Sequence, residues 1–436
     1  MKKSRYNIIL DYDNKKLLYN SYSNAFAELD ELSYNQFINM DLNDKSLYEK
    51  LVRGNYIVED DSDEISQYKV VSNINRFRSN RLNLTIAPTL RCNMNCPYCF
   101  EEKKDMIMSE ETCNDLINFI SKMVEKNGTK YLNIGWYGGE PLLEIDKITY
   151  LSERINKICD DSRIQLKQSV VTNGYLLDFQ TKEKLKSLKN LTSIQISLDG
   201  NKTTHDRTRK LKDGSKTFDK IINNIFNACE DIKISARVNV HRMNTEEAFQ
   251  LIDYFDRIGL KNKISLYFAP IRDDTDQCAH VSPICLSSEE FANINKKIFD
   301  LAYKKGYIFP VKSYPSLSFL GCGAITPYSF VIDPEGNLNK CWNEIGLKDK
   351  QIGNIKSGSN LNEENKKWLS YEVPEGCLNC NTLPICSGGC PYHRIRNVTQ
   401  ECDYRKYLLE NTLKLVYDKY KKDKEFKEDI ALSEAK

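Results

Sequence analysis

Residues 82–99 read LNLTIAPTLRCNMNCPYC, an apolar segment that runs straight into three closely spaced cysteines. Residues 82–87 are the first of six apolar strand candidates, and helical stretches follow most of them. The other strand candidates lie at 131–137, 168–172, 193–198, 234–240 and 264–269, and the helical stretches include 111–125, 181–188, 245–258 and 289–304. Repeated β-α units predict an α/β protein with a parallel sheet, and six units favour a partial (β/α)6, TIM-like barrel over a closed eight-stranded one.

Short motif-like segments stand at the predicted ends of the first four strands. The cysteines follow the first strand, and residues 136–141, 171–174 and 197–200 end the next three. In barrels of this kind the chemistry takes place at the C-terminal ends of the strands. We therefore expect these four segments to meet around one site.

The composition is that of a globular protein without a strong electrostatic preference. The 436 residues are 40% hydrophobic and 28% charged, with a formal net charge of +2. This balance predicts neither nucleic acid nor an anionic membrane as a partner. The N-terminal residues lack the apolar core of a signal peptide, and no run of about 18 apolar residues predicts a membrane span.

The 15 cysteines need an explanation other than a disulfide framework, because the chain is long and shows no export signal. Ten of them fall into two spaced groups, which predicts thiolate ligation of metal inside the cell. The first group is Cys92, Cys96 and Cys99. A cubic [4Fe–4S] cluster needs four ligands, so three cysteines would leave one iron open to a small molecule. A structural zinc site with a distant fourth ligand is the alternative.

The Cys92-x3-Cys96-x2-Cys99 spacing, with the aromatic Tyr98 before the last cysteine, resembles the signature of the radical S-adenosylmethionine (SAM) superfamily. The resemblance implies that the open iron chelates the amino and carboxylate groups of SAM. It also implies reductive cleavage of SAM to methionine and a 5′-deoxyadenosyl radical, which abstracts a hydrogen atom from the substrate. In such chemistry the cofactor performs the difficult step, while the protein supplies position and excludes water.

Motifs at the ends of the second and fourth strands resemble SAM-binding elements of the same superfamily. Gly138, Gly139 and Glu140 match its GGE motif, and the resemblance implies a contact with the SAM amino group. Ser197 matches the position that touches the ribose of SAM. Asn173, at the end of the third strand, is expected to line the same opening.

The segment from His205 to Arg209 resembles an HDxxR element of related maturases. The resemblance implies that Arg209 binds the SAM carboxylate, since a guanidinium group pairs well with it. Arg237 and Asn239, at the end of the fifth strand, are weaker candidates for the same contact. His205 itself is expected to act as a structural cap.

The second cysteine group lies in the C-terminal region and resembles the SPASM domain. Its members are Cys322, Cys341, Cys377, Cys380, Cys386, Cys390 and Cys402. The resemblance implies two auxiliary [4Fe–4S] clusters, and thus three clusters in the chain. The outer cluster would be held by Cys377, Cys380, Cys386 and Cys402, and the inner one by Cys322, Cys341 and Cys390. Because residues 323–340 contain no cysteine, we expect an open inner iron that takes a substrate thiolate, unless Cys278 or Cys285 fills it.

Residues 1–80 are predicted to form a small α+β module ahead of the barrel at 81–310. The SPASM region at 311–436 follows, with a helix near 404–424 and a solvated charged tail. Strands are expected at 6–10 and 16–19, and helices at 23–30, 34–40 and 45–52. The module resembles the winged-helix-like recognition module of peptide maturases, a three-stranded sheet packed on three helices. The resemblance implies that it binds the leader of a precursor peptide by adding a strand to a sheet edge. An unrelated capping subdomain is the alternative.

These resemblances predict a radical SAM/SPASM maturase that modifies a ribosomally made precursor peptide and forms a thioether between a cysteine sulfur and a carbon. One alternative is formylglycine formation by an anaerobic sulfatase maturase, although Trp342 stands where that branch has a catalytic aspartate. The other is a non-enzymatic iron–sulfur electron carrier. The expected partners are the precursor peptide and an electron donor such as ferredoxin or flavodoxin, in a reducing cytoplasm. No residue is predicted to act as the catalytic acid or base.

Overall fold

The computed structural model of the protein describes residues 1–312, 314–399 and 401–422. Most of the predicted charged tail after Tyr420 lies outside these residues. Among the described helices, none is both long and apolar enough to cross a membrane.

The N-terminal segment folds into a small sheet and three helices. Its strands are β1 (Lys2–Lys3), β2 (Asn7–Tyr12), β3 (Lys15–Asn20), β4 (Ala25–Leu29) and β5 (Ile57–Val58), and its helices are α1 (Glu31–Asn39), α2 (Lys45–Arg53) and α3 (Glu64–Arg76). Strands β2, β3 and β4 form an antiparallel sheet in that order, and β1 pairs with β5. The sequence did not indicate α3, which begins after Asp63, whose side chain accepts a hydrogen bond from the Ser66 N–H.

The helix predicted at 23–30 is wrong, because this segment contains strand β4. Its sequence, AFAEL, is rich in helix-forming residues, yet it pairs with β3 along its length, with Tyr19 opposite Phe26. Asn24 adopts a left-handed conformation with a φ of 64°. Its side-chain oxygen accepts a hydrogen bond of 2.7 Å from the Tyr19 hydroxyl. This turn brings the segment back onto the sheet, and strand pairing overrides the local helix propensity.

Six parallel strands form the central sheet and confirm the predicted α/β fold. The strands are β6 (Arg81–Ile86), β7 (Tyr131–Trp136), β8 (Gln165–Thr172), β9 (Leu191–Leu198), β10 (Ile234–Val240) and β11 (Ser265–Pro270). The helices between and after them are α4 (Glu110–Asn127), α5 (Ile145–Asp161), α6 (Phe179–Ser187), α7 (Lys202–Thr208), α8 (Phe218–Ala228), α9 (Thr245–Arg257) and α10 (Ser288–Lys304). The strands neighbour one another in chain order, and in the described residues β11 is an outer edge, so the barrel is open there.

The cysteine-rich C-terminal region continues this sheet beyond β6. Its elements are α11 (Phe309–Lys312), β12 (Ser329–Ile332), β13 (Asn337–Asn339), β14 (Gly353–Asn354), β15 (Gly358–Ser359), α12 (Glu363–Leu369), α13 (Glu375–Leu378), α14 (Leu383–Cys386), α15 (Pro391–Ile395) and α16 (Tyr404–Lys422). Strand β12 runs parallel to β6, with Ile332 opposite Ile86, and β13 to β15 add antiparallel strands. The region is therefore anchored on the strand that leads to the first cysteine group.

Both faces of the N-terminal sheet are covered. One face packs on α1 and α2 through a cluster that includes Leu18, Leu29 and Phe37. The other face packs on α16 through a cluster that includes Tyr19 and Leu413. Two hydrogen bonds add to the second contact: Tyr12 to Asp418 at 2.8 Å, and Tyr417 to Glu28 at 2.9 Å.

Arg76, at the end of α3, fastens the N-terminal segment to the C-terminal region. Its guanidinium group is buried and donates hydrogen bonds of 2.6–3.0 Å to the carbonyl oxygens of Ile325, Trp368, Leu369 and Tyr371. A buried charge of this kind is tolerated only when its donors are satisfied. These four bonds therefore fix the end of α3 to the turn at Ile325 and to the C-terminal end of α12.

Replacing this arginine should destabilise the whole chain. Arg76→Ala is expected to lower the free energy of unfolding by about 2–4 kcal/mol, because buried carbonyls lose charged donors. Urea denaturation followed by circular dichroism measures the change. The matched control is Arg78→Ala, since Arg78 is exposed and carries the same charge. Equal stability of the two variants would contradict the anchoring role of Arg76.

Candidate active site

A cavity of about 340 Å³ lies at the C-terminal ends of the barrel strands. All three cysteines of the first group line it, together with residues from the ends of β7 to β11 and from the C-terminal region. The predicted site residues among them are Cys92, Cys96, Cys99, Tyr98, Gly138, Gly139, Asn173, Ser197, Arg209, Arg237, Asn239, Cys341 and Cys390. The strand-end segments therefore meet at one site, as their positions in the sequence indicated.

The segment before Cys92 is held by the backbone of the Gly138–Gly139–Glu140 motif. The Gly139 N–H donates to the Thr89 carbonyl at 3.2 Å, and the Glu140 N–H donates to the Arg91 carbonyl at 2.8 Å. A Cβ atom on Gly138 would lie 2.2 Å from the Thr89 carbonyl oxygen, and one on Gly139 would lie 2.3 Å from that of Arg91. Gly138 also has a φ of 116°. Glycine is thus required because two backbone segments touch.

Glu140 does not line the cavity. Its carboxylate is buried and accepts hydrogen bonds from residues at the end of the neighbouring strand, β8. Oε1 accepts hydrogen bonds from the Leu142 N–H at 3.0 Å and the Thr172 hydroxyl at 2.6 Å. Oε2 accepts one from the Asn173 N–H at 2.8 Å. Burial raises the pKa of Glu140, and these donors oppose that shift. The carboxylate fastens the end of β8 to that of β7, and a contact with the SAM amino group stays a prediction.

A buried polar network ties the cysteine loop to the ends of β9 and β10. The Tyr98 hydroxyl donates to Asp199, which also accepts hydrogen bonds from Thr208 at 2.6 Å and Asn239 at 3.1 Å. The Arg209 guanidinium donates to the Tyr98 oxygen at 2.9 Å. Burial lowers the pKa of Arg209, but the charges of Cys96, Tyr98 and Asp199 outweigh it and raise the pKa overall. The arginine is therefore a fixed positive charge at the cavity wall.

Asp199 is the residue of this network that the sequence analysis missed. Its side chain is fully buried, and it follows Ser197 in the segment at the end of β9. A charged residue directly after a buried strand at the mouth of a parallel barrel is a signal that could have found it. His205 is also buried, and its Nε2 lies 3.1 Å from the Thr217 hydroxyl, which agrees with the structural role expected for it.

The thiols of the first group are buried in a way that favours their neutral form. Burial raises the pKa of Cys92 to about 12 and that of Cys99 to about 11. Burial also raises the pKa of Cys96, although the nearby Arg209 charge opposes the shift. A cationic iron centre that binds here would therefore displace protons from these thiols.

Thiols of the second group lie within electrostatic reach of one another, and their division into two cluster sets stays a prediction. Burial raises the pKa of Cys341, and the charges of Glu344, Cys322 and Cys390 raise it further. Besides burial, the charges of Cys402 and Cys380 raise the pKa of Cys377.

Burial raises the pKa of Cys386, and the charges of Asp403 and Cys380 raise it further. Cys278 is elsewhere: it is buried beneath its own loop, and its thiol donates to the carbonyls of Arg272 and Thr275 at 3.4 Å.

The thiols of the two cysteine groups are the donors that iron–sulfur clusters require. In addition, Tyr371 has a buried hydroxyl that lacks a hydrogen-bond partner among the described residues. It lies within electrostatic reach of Cys377, Cys390 and Cys322, and the residues present therefore fit iron–sulfur clusters.

Residues 86–267 match the model of the radical SAM superfamily. The protein carries a radical SAM domain and is a radical SAM enzyme, and this family implies a [4Fe–4S] cluster and bound SAM. The family and the fold confirm the corresponding predictions made from the sequence.

Curated relatives include a cysteine-type anaerobic sulfatase-maturating enzyme from Clostridium novyi. It is 25% identical over 376 residues, which cover 77% of this chain and 96% of that protein. The radical SAM cyclopropyl synthase TigE from Paramaledivibacter caminithermalis is 26% identical over 455 aligned positions, covering 93% of this chain and 88% of that protein.

Solved structures share the fold at lower identity. The structure of anSMEcpe with bound AdoMet and the Cp18Cys peptide has a TM-score of 0.61 and 20% identity, covering 79% of this chain and 98% of that one. The structure of Streptococcus suis SuiB bound to its precursor peptide SuiA has a TM-score of 0.55 and 18% identity, covering 92% and 98%. The second match extends over the N-terminal segment.

The glycine contact gives a direct test of how the cysteine loop is positioned. Gly139→Ala is expected to weaken SAM binding at least tenfold, because its methyl group would push the backbone before Cys92 out of place. Equilibrium dialysis of SAM with the anaerobically reconstituted enzyme measures the effect. Gly135→Ala on the same strand is the matched control, since its Cβ would meet atoms only at 3.9 Å. Wild-type affinity in Gly139→Ala would refute this account.

Proposed function

We propose that this enzyme modifies a ribosomally made precursor peptide and that its main product is a cysteine thioether. One observation carries the proposal: the cavity that holds Cys92, Cys96 and Cys99 is also lined by Cys341 and Cys390. A substrate side chain in this cavity would lie between the two cysteine groups. A substrate sulfur and the carbon that reacts with it can then be held in one enclosed space.

The first cysteine group would hold the cluster that the family implies, with Cys92, Cys96 and Cys99 as its ligands. When bound, this group supplies the reductive cleavage of SAM to a 5′-deoxyadenosyl radical. The residues around it bind and orient SAM. Arg209 offers a fixed guanidinium for the carboxylate, and its buried Nε has no hydrogen-bond partner among the described residues.

Ser197 and the backbone at Gly138 and Gly139 face the same cavity and would contact the ribose and the amino group. Glu140 would support the amino-group contact through the strand ends that it joins. Tyr98 holds the cysteine loop against Asp199 and Arg209.

We further propose two auxiliary [4Fe–4S] clusters, which brings the total to three. Cys377, Cys380, Cys386 and Cys402 would hold the outer cluster, and Cys322, Cys341 and Cys390 the inner one. The mutual proximity of the thiols within each set supports this division. An external donor such as ferredoxin or flavodoxin would supply electrons, and the oxygen sensitivity of such centres suits a reducing cytoplasm.

The N-terminal residues 1–80 would bind the leader of the precursor peptide. In the β2–β3–β4 sheet a strand can be added at the β2 edge or at the β4 edge. An added strand gains main-chain hydrogen bonds at either edge. The corresponding regions of TigE and SuiB are included in their matches to this chain, which supports a shared module.

A second candidate product is a carbon–carbon bond. The relative whose match covers 93% of this chain is named a cyclopropyl synthase, and that match includes the N-terminal segment. Formylglycine formation has less support, because Trp342 rather than an aspartate follows Cys341 at the cavity. The number of free thiols in the product, together with its mass change, separates these candidates.

The test uses candidate short, cysteine-containing precursor peptides, each incubated anaerobically with the reconstituted enzyme, SAM and reductant. We expect 5′-deoxyadenosine and a peptide that has lost two hydrogens and one alkylatable thiol, as measured by mass spectrometry. The control in which Cys92, Cys96 and Cys99 are replaced by alanine should form neither product. Loss of two hydrogens with all thiols retained would replace the thioether by a carbon–carbon bond. Absence of 5′-deoxyadenosine would instead indicate an electron carrier.

The buried Tyr68 hydroxyl leads to a prediction about the auxiliary clusters. Burial raises the pKa of Tyr68 to about 12, a hydrogen bond with Ser387 opposes this shift, and the charges of Cys386 and Cys377 add to it. Hydrogen bonds to cluster sulfurs raise reduction potentials, so Tyr68→Phe should lower the potential of one auxiliary cluster. A redox titration followed by electron paramagnetic resonance measures it. Tyr48→Phe, on helix α2, is the control, and equal potentials in both variants would refute the contact.

A further inference from the structure

Among the described residues, two carboxylates line the cavity, Glu101 and Asp274, and they lie in different parts of it. Glu101 lies two residues after Cys99, and its charge adds to burial in raising the pKa of that thiol. Asp274 lies on the loop after β11, beside the C-terminal cysteines. Burial raises the pKa of Cys390, and the charge of Asp274 raises it further. Glu344 and Asp403 also act on the inner cysteines but do not line the cavity, so Asp274 is the cavity carboxylate within electrostatic reach of Cys390.

The position of Asp274 is fixed by residues that follow the inner cysteines closely. His393 Nε2 donates to Oδ1 at 2.9 Å, and Asn343 Nδ2 donates to Oδ2 at 3.2 Å. The Tyr392 hydroxyl donates to the Asp274 main-chain carbonyl at 3.0 Å. Asn343 is two residues after Cys341, and His393 is three residues after Cys390. The two side chains that hold the carboxylate lie close in sequence to Cys341 and Cys390. The position of Asp274 is therefore tied to the positions of both cysteines.

The carboxylate still has the capacity to accept a proton. Each of its oxygens accepts one of these two hydrogen bonds, and a carboxylate oxygen has two lone-pair positions. Its side chain is 17% exposed, so it remains accessible from the cavity. A substrate cysteine has an ordinary thiol pKa of about 8.5 and must lose its proton to act as a thiolate ligand or nucleophile. Trp342, which follows Cys341, has no group that could accept this proton; its ring packs on Tyr137 with centroids 5.2 Å apart.

We propose that Asp274 accepts the proton of the substrate cysteine thiol, and that His393 and Asn343 are positioning residues for its carboxylate. The inference rests on the proposed peptide-modifying function. In this step the S–H bond breaks and an O–H bond forms on Asp274. The sulfur keeps both electrons as a thiolate, and no electron leaves the substrate. The proton then passes to solvent when the product departs.

The experiment uses the full-length reconstituted enzyme and the precursor peptide that the wild type modifies in the assay above. Asp274→Asn is expected to form 5′-deoxyadenosine within twofold of the wild-type rate, while modified peptide falls at least 100-fold, the range of general acid–base catalysis. Asp274→Glu should form at least ten times as much modified peptide as Asp274→Asn. Asp273→Asn is the matched control, because it changes the same charge one residue away and does not line the cavity.

A second measurement separates proton acceptance from a structural role. The same peptide is made with selenocysteine in place of the reacting cysteine, because a selenol is already ionised at neutral pH. Asp274→Asn should modify this peptide at close to the wild-type rate if the carboxylate only accepts a proton. Lack of rescue by selenocysteine, or wild-type modification of the cysteine peptide by Asp274→Asn, overturns the inference. Absence of product from the wild-type enzyme overturns the proposed function, and the inference with it.

Discussion

The loop that carries Cys92, Cys96 and Cys99 is held against the barrel by a backbone contact that only glycine permits. The N–H groups of Gly139 and Glu140 bond to carbonyls of the segment just before Cys92, and any side chain on Gly138 or Gly139 would collide with it. The same motif places Glu140 where it joins the ends of β7 and β8. One contact thus sets the cysteine loop and two strand ends relative to each other, and the cavity depends on it.

The C-terminal region reaches this cavity because it is built onto the same sheet. Strand β12 pairs with β6, and β6 leads directly into the first cysteine loop. Cys341 follows β13, the next strand of the sheet, so hydrogen bonds of a single sheet relate both cysteine groups. A flexible tether between two separate domains would not fix such a relation. The shared sheet explains how residues more than 240 positions apart line one cavity of about 340 Å³.

Much of this organisation was predictable from the sequence, because it depends on local pattern. The six barrel strands have strong apolar runs, and the strand-end motifs follow them without a gap. Strand β4 was not predictable in this way, since its helix-forming residues are held extended only by pairing with β3. Asp199 and Asp274 were missed for a related reason: their partners lie far away in the sequence, at Tyr98 and His393. Asp199 at least follows a buried strand directly, whereas a single acidic residue in a loop, such as Asp274, shows no pattern until the fold brings its partner to it.

Glu101 and Asp274, the two carboxylates that line the cavity, differ in the hydrogen bonds that their oxygens accept. Burial raises the pKa of Glu101 to about 7, and its Oε2 has no hydrogen-bond partner among the described residues. Asp274 has a nitrogen donor at each oxygen, and these donors stabilise its negative charge. Three arginines, Arg209, Arg237 and Arg272, line the same space and balance the thiolates that ligation would create there. An ionised carboxylate beside cysteine thiolates is costly unless donors surround it. The hydrogen bonds from His393 and Asn343 therefore hold the Asp274 carboxylate in place at the cavity wall, where a substrate thiol would arrive.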